Sequence, residues 1–233
     1  MAGEAENPAF DGPVPVFPLP NLVLFPGARQ SLYIFEPRYR KMVADALRGP
    51  GLIAMALLHE RIDADPTAND AEIHPIVCVG RIGEHVRLPD GRYFLNLEGI
   101  CRARVAGEYR EGPYRLASLD PVQEPDAGIE PDGAMTIRQA IADVLVDPVF
   151  DALDEMDRMR ALLRVDVPVG RAIDVLAFRL VPGEEVEIKQ QLLEELDVLR
   201  RGEILLEEIR AVRQILLVRQ SRRDQWPIGG AMN

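Results

Sequence analysis

The sequence predicts an α+β chain, with a β-rich N-terminal domain carrying one inserted helix and a C-terminal α-helical bundle. Three observations carry this reading. Short apolar runs (VPVF, LVLF, SLYIF, GLIAMALL, PIVCVGRI, RYFLNL, ICRARV, YRLASL) recur from Val14 to Leu119 between Gly/Pro turn signals, the texture of a barrel or sandwich. A stretch rich in proline, glycine and acids, PVQEPDAGIEPDG, then interrupts the pattern. Beyond it, apolar residues recur at helical spacing.

In chain order, residues 1–13 are small, acidic and Pro/Gly-bearing and read as a loose leader. The β domain spans 14–122. Its helix opens at Pro37, where a missing N–H costs nothing. Tyr39, Met42, Val43, Ala46 and Leu47 then fall on one face, and Gly49-Pro50-Gly51 stops it. Pro89-Asp90-Gly91, between EHVRL and RYFLNL, is the clearest hairpin turn. Residues 123–133 form the linker, 134–222 the helical bundle and 223–233 a tail in which Trp226 either tucks onto the body or stands as an anchor. Within the bundle, breaks are expected at Asp147-Pro148 and Pro182-Gly183. The run from Glu184 to Arg222 would reach about 55 Å as one helix, too long for a body with a radius of gyration of about 17 Å. A break at Leu196–Asp197 is therefore expected, with Asp197 as N-cap and Gly202 a weak point beyond it.

Composition narrows function. With 233 residues, 47% of them hydrophobic, the chain can bury one large core or two small ones. Net charge is −11, with 13 basic against 16 acidic residues through Asp120 and 14 against 22 beyond. Neither half offers the basic field that nucleic-acid binding needs, so no nucleic-acid partner is expected. Two cysteines, Cys78 and Cys101, exclude a disulfide scaffold and read as buried thiols. The N-terminus lacks a signal peptide's basic and apolar regions, and no apolar run approaches the ~20 residues of a membrane span. A soluble cytoplasmic protein with no membrane partner is the expectation.

Chemistry is sparse. Neither lysine, Lys41 or Lys189, follows a glycine, so a P-loop is absent, and no G-x-G-x-x-G opens a helix. Ser31, Ser118 and Ser221 lie outside G-x-S-x-G. His59, Asp63 and Asp65 could face a cation, but no second cluster completes a metal-ligand spacing, and a solvated acidic loop is the preferred reading. No catalytic residue, cofactor or metal is assigned.

The opening block VPVFPLPNLVLFPGARQSLYIFEPRYRKMVADAL, Val14–Leu47, resembles the start of the substrate-binding N-terminal domain of Lon-type ATP-dependent proteases. Pro15, Phe17, Pro18 and Leu19 match P-x-F-P-L, and Val23–Gly27 match V-L-F-P-G. Leu32, Ile34, Phe35, Glu36, Arg38 and Tyr39 match the segment that runs into the helix. Gly99 and Arg102 match a G-x-x-R, and KQQLLEELDVLRR resembles a later helix of the family. The resemblance implies a PUA-like β pseudobarrel backed by a helical bundle. It also implies a stand-alone, non-enzymatic Lon-type domain without the ATPase P-loop and Ser–Lys dyad. Such a domain binds polypeptide or protein partners, in a role linked to proteolysis. The alternatives are an RNA-binding PUA-like module or an unrecognised enzyme. The expected polypeptide-binding surface is Pro20, Leu22, Phe25 and Pro26. Glu36, Arg38 and Arg102 are expected to form a structural ion-pair network, with Glu36 paired to Arg38 or Arg102.

Overall fold

The computed structural model describes residues 10–59, 71–110, 112–122, 131–164 and 167–225. Most of the leader, Asp63 and Asp65, residues 123–130 of the linker, and Trp226 lie outside the described residues. The chain divides into two compact units, Met1–Glu124 with Gly183–Glu194, and Pro125–Pro182 with Glu195–Asn233.

The first unit is a mixed sheet of β1 (Val14–Leu19), β2 (Arg29–Ile34), β3 (Leu52–Leu57), β4 (Ile76–Arg87), β5 (Tyr93–Tyr109) and β6 (Arg115–Pro121), with helix α1 (Pro37–Ala46) between β2 and β3. β1 and β3 run parallel, Val16 opposite Ala54 and Leu19 opposite Leu57, and the remaining neighbours are antiparallel. β5 has only two edges: β4 takes one, so β2 and β6 share the other, along its first and second halves. β6 also pairs with β1, Val14 opposite Ala117, so β5, β4, β3, β1 and β6 close into a ring. Register shifts at Val79/Gly80, Ile82/His85 and Val105/Gly107 supply the bends such closure requires. Val16, Ala54, Val77, Val79, Ala103 and Ala117 fill the core cluster at no exposure.

α1 buries Tyr39, Met42, Val43 and Ala46, the face read from the sequence. The Phe17 and Tyr39 rings meet at 4.5 Å. The chain turns out of the helix at Gly51, whose φ of +71° favours glycine, and the Gly51 N–H donates to the Ala46 carbonyl at 3.0 Å. The hairpin turn forms at Leu88–Arg92: Gly91 takes φ +84° and its N–H donates to the Leu88 carbonyl at 2.9 Å.

Tyr114 ties the loop before β6 to α1, its O–H donating to Asp45 Oδ2 at 2.8 Å. Burial, then the Asp45 carboxylate, push this phenol up to about 12. The folded value lies above that of an unfolded tyrosine, about 10. Its contribution to stability is therefore intact below pH about 10 and lost as pH rises toward 12. Spectrophotometric titration of the Tyr114→Phe variant is expected to lack one phenol with a midpoint near 12, and to lose less stability than the parent across that window. Loss of a phenol titrating near 10 instead would contradict the assignment.

Helix α5 (Val186–Glu194) packs on β4 and belongs to the first unit, although its spacing places it with the helical segment 134–222 in the sequence reading. Polar ties explain this. Buried Gln190 donates through Nε2 to the Ile76 carbonyl and to Glu194 Oε1, both at 2.9 Å, and Glu194 also meets His74 Nδ1 at 3.0 Å.

The second unit holds α2 (Pro131–Leu145), a 3-10 turn (Pro148–Ala152), α3 (Met156–Leu162), α4 (Val169–Leu180) and α6 (Val198–Gln225). Asp147 caps the 3-10 turn by accepting from Val149 N–H at 3.0 Å. The break expected near Asp197 is present: its Oδ1 accepts from Leu199 and Arg200 N–H at 2.9 and 3.1 Å. Gly202 is a contact point within α6, since a Cβ there would stand 2.5 Å from Ile137 Cγ1 and 3.1 Å from Ile173 Cδ1. Arginines satisfy helix ends: Arg160 donates to the Leu145 carbonyl at 2.9 Å, and Arg138 to that of Leu162 at 3.3 Å.

Candidate functional site

Alternation along β5 sends Tyr93, Leu95 and Leu97 inward to buried positions and leaves Phe94 facing solvent. Register sets Tyr33 of β2 opposite Phe94 on one side and Val86 of β4 opposite it on the other. The three side chains therefore make an apolar row across three strands. Tyr33 is 39% exposed, Phe94 52% and Val86 60%, and Phe35, just after β2, is 58% exposed. The Tyr33 and Phe94 rings stack at 4.6 Å, Phe35 lies 6.0 Å from Tyr33, and the Arg92 guanidinium sits 5.4 Å over the Tyr33 ring. An open groove of about 650 Å³ runs over this face. Its polar members include Ser31, whose Oγ donates to Asn96 Oδ1 at 2.7 Å. Rigid aromatic rings with polar neighbours, held on strands, bind apolar side chains at low entropic cost. None of Tyr33, Phe35, Val86 and Phe94 is assigned to a binding surface in the sequence reading. The available signal was the outward position of Phe94 in RYFLNL and of Tyr33 in SLYIF.

The loop expected to grip a polypeptide is placed differently. Phe25 is fully buried, as are Val23 and Leu24, which corrects its assignment to a binding surface. The loop folds inward because the Gly27 N–H donates to the Gly99 carbonyl and the Gly99 N–H to the Ala28 carbonyl, both at 2.9 Å. This carries V-L-F into the core, and truncating Phe25 would remove core packing worth about 3–5 kcal/mol. Pro20 stays exposed, and Leu22 and Pro26 partly so.

Of the charged residues, Arg38 Nε donates to Glu36 Oε2 at 2.9 Å and the Arg38 guanidinium lies 4.5 Å over the Tyr39 ring. Arg102 sits in another place. Buried on β5, it donates to the Leu193 carbonyl at 2.8 Å and the Leu192 carbonyl at 3.5 Å, satisfying the C-terminal end of α5.

The serine and cysteine side chains have the following surroundings. Ser118 Oγ pairs with the Tyr109 hydroxyl at 3.1 Å, and Ser221 Oγ donates to the Val218 carbonyl at 2.9 Å. Cys78 is buried, and burial pushes the Cys101 thiol up to about 11, far from a thiolate at neutral pH. His59 stacks on His74 at 3.9 Å. Among the described residues, no group of three His, Cys, Asp or Glu side chains could hold a metal ion, and no helix is long and apolar enough to cross a membrane.

Residues 13–211 match the family model of the ATP-dependent protease La (LON) substrate-binding domain. The sequence is 26% identical over 216 residues to a Lon protease of Anaeromyxobacter dehalogenans and 26% identical over 208 residues to Lon protease 2 of Myxococcus xanthus. Each alignment covers 87% of this chain and 24% of the relative, so the chain spans about a quarter of their length. Among solved structures, the Lon N-terminal domain protein of Xanthomonas campestris aligns with a TM-score of 0.57 at 27% identity, covering 84% of this chain and 98% of that one. The N-terminal domain of a Mycobacterium avium complex Lon protease aligns with a TM-score of 0.65 at 16% identity, covering 85% and 98%. This second likeness concerns the fold alone.

Proposed function

Because the chain belongs to the LON substrate-binding domain family, we propose that it binds polypeptides non-covalently, without processing them, in a role linked to proteolysis. The outward face of β2, β5 and β4 is the gripping surface in this reading. The observation that carries it is the exposed row of Tyr33, Phe94 and Val86, extended by Phe35, with Ile34, Tyr93 and Leu95 buried on the opposite face of β2 and β5. A contiguous exposed aromatic patch is unfavourable to keep in water unless something covers it part of the time. Pro20, Leu22 and Pro26 offer a second, smaller surface without an aromatic anchor. Buried Cys78 and the raised thiol of half-buried Cys101 support the reading that no cysteine-based covalent step accompanies binding.

The test is fluorescence anisotropy with labelled β-casein, a largely unfolded polypeptide. The Tyr33→Ser/Phe94→Ser double variant is expected to bind about tenfold more weakly or worse, since each aromatic anchor is worth about 1 kcal/mol or more. Its circular dichroism should be unchanged, because both residues are exposed. Equal affinity of variant and parent would remove the aromatic face as the binding site.

A further inference from the structure

We propose that the bound segment adds as an extended strand to the free edge of β2, and that it is acidic as well as apolar; this rests on the polypeptide-binding reading above. β2 pairs with β5 through six consecutive positions, Arg29–Glu98 to Ile34–Tyr93, with no register shift. No other described strand pairs with it. The Gly99 N–H bond to the Ala28 carbonyl sets the phase. By antiparallel alternation Gln30, Leu32 and Ile34 exchange bonds with β5, while Arg29, Ser31 and Tyr33 turn their N–H and C=O groups the other way. Those three residues are also the exposed ones. The Ser31 carbonyl accepts from Gln30 Nε2 at 2.7 Å, a stopgap bond from its own strand that an incoming backbone can replace. Sheet edges are ordinarily blunted by charged residues, proline or a bulge; β2 carries one charge, Arg29 at its first position, and neither proline nor bulge within its six residues. An open edge is complementary to one kind of ligand backbone, an extended strand.

Charge selects the chemistry of that strand. Three guanidiniums gather at the hairpin turn in a chain of net charge −11, Arg92 on the face of the aromatic row and Arg87 on the opposite face with Tyr93. Arg92 lies over Tyr33 and donates to Asp90 at 2.6 Å, and Arg87 lies 6.0 Å over Tyr93. Arg40 packs against Gly91 with its Nε buried and without an acceptor among the described residues. Asp90 is paired there and Glu36, just beyond β2, is paired with Arg38, while Glu84, which lines the groove, and Glu98, paired with Arg29, lie farther from the turn along β4 and β5. The turn end of the edge therefore presents an excess of positive charge, which favours an acidic terminus on the incoming segment at that end.

The experiment uses a short fluorescein-labelled peptide with phenylalanines on one face, threonines on the other and glutamates at one end. Two further versions are N-methylated at alternate amides, one on each edge of the extended peptide. One N-methylated version is expected to lose at least about tenfold in affinity and the other to stay within about twofold, because β2 can engage a single peptide edge. Exchanging the glutamates for lysines is expected to weaken binding about tenfold, and Arg87→Glu/Arg92→Glu to reverse that preference. Equal behaviour of the two N-methylated peptides, or no binding of the parent peptide, overturns strand addition. If β-casein binding still depends on Tyr33 and Phe94 in that case, the aromatic-face reading stands; if it does not, that reading falls on its own evidence.

Discussion

Gly99→Ala is expected to destabilise the β unit by about 3 kcal/mol, the upper range for forcing volume into a packed site. A Cβ at Gly99 would stand 2.0 Å from the Phe25 carbonyl oxygen and 2.8 Å from its carbon. Those are backbone atoms, so no rotamer change relieves the overlap. The loop would have to leave β5, breaking both hydrogen bonds that join Gly27, Ala28 and Gly99 and withdrawing Val23, Leu24 and Phe25 from the core. Gly107→Ala, on the same strand with open space around its Cβ, is the control and should change stability by less than about 0.5 kcal/mol. Urea unfolding followed by circular dichroism compares the two. Similar midpoints for both variants would show that Gly99 is not what holds the loop.

Breaking the buried pair of Arg201 and Asp174 is expected to cost the helical unit about 3–5 kcal/mol, whichever partner is removed. Both side chains are essentially inaccessible, with Arg201 Nε 3.2 Å from Asp174 Oδ1. Arg201 Nη1 also donates to the Glu195 carbonyl at 2.7 Å, which anchors the guanidinium just ahead of α6. Removing one partner takes away a counter-charge that the other buried group faces. Replacing both with apolar residues of similar volume, as in Asp174→Leu/Arg201→Met, removes the charges together and should cost less than either single change. A double-mutant cycle in urea measures the coupling. Additive costs would mean that the two charges are not energetically linked.

Local signals in the sequence carried the elements well, because each rests on short-range physics. Pro37 starts α1, Pro148 ends the α2 segment, and Asp197 caps α6. Closure of the ring depends on β6 pairing with both β1 and β5, a long-range register that no local pattern encodes. The allegiance of α5 rests on Gln190 and Glu194 meeting Ile76 and His74, more than a hundred positions away. The apolar run Val23–Phe25 could serve equally as core or as an exposed grip. What decides it is Gly99, a residue whose missing Cβ shows its purpose only once Phe25 lies against it. Tyr33 and Phe94 are ordinary strand residues until the β2–β5 register stacks them. Arg102 belongs to a charged motif by spacing, yet it donates to backbone carbonyls at a helix end.

The central claim is that a polypeptide is held on the face of β2, β5 and β4. Amide chemical-shift mapping of the isotope-labelled protein, titrated with unlabelled β-casein, tests it most directly. The largest perturbations should fall on Ser31–Phe35, Val86 and Phe94–Asn96, with little change across the second unit. Perturbations centred instead on Pro20–Pro26 or on α6, with Tyr33 and Phe94 unmoved, would contradict it.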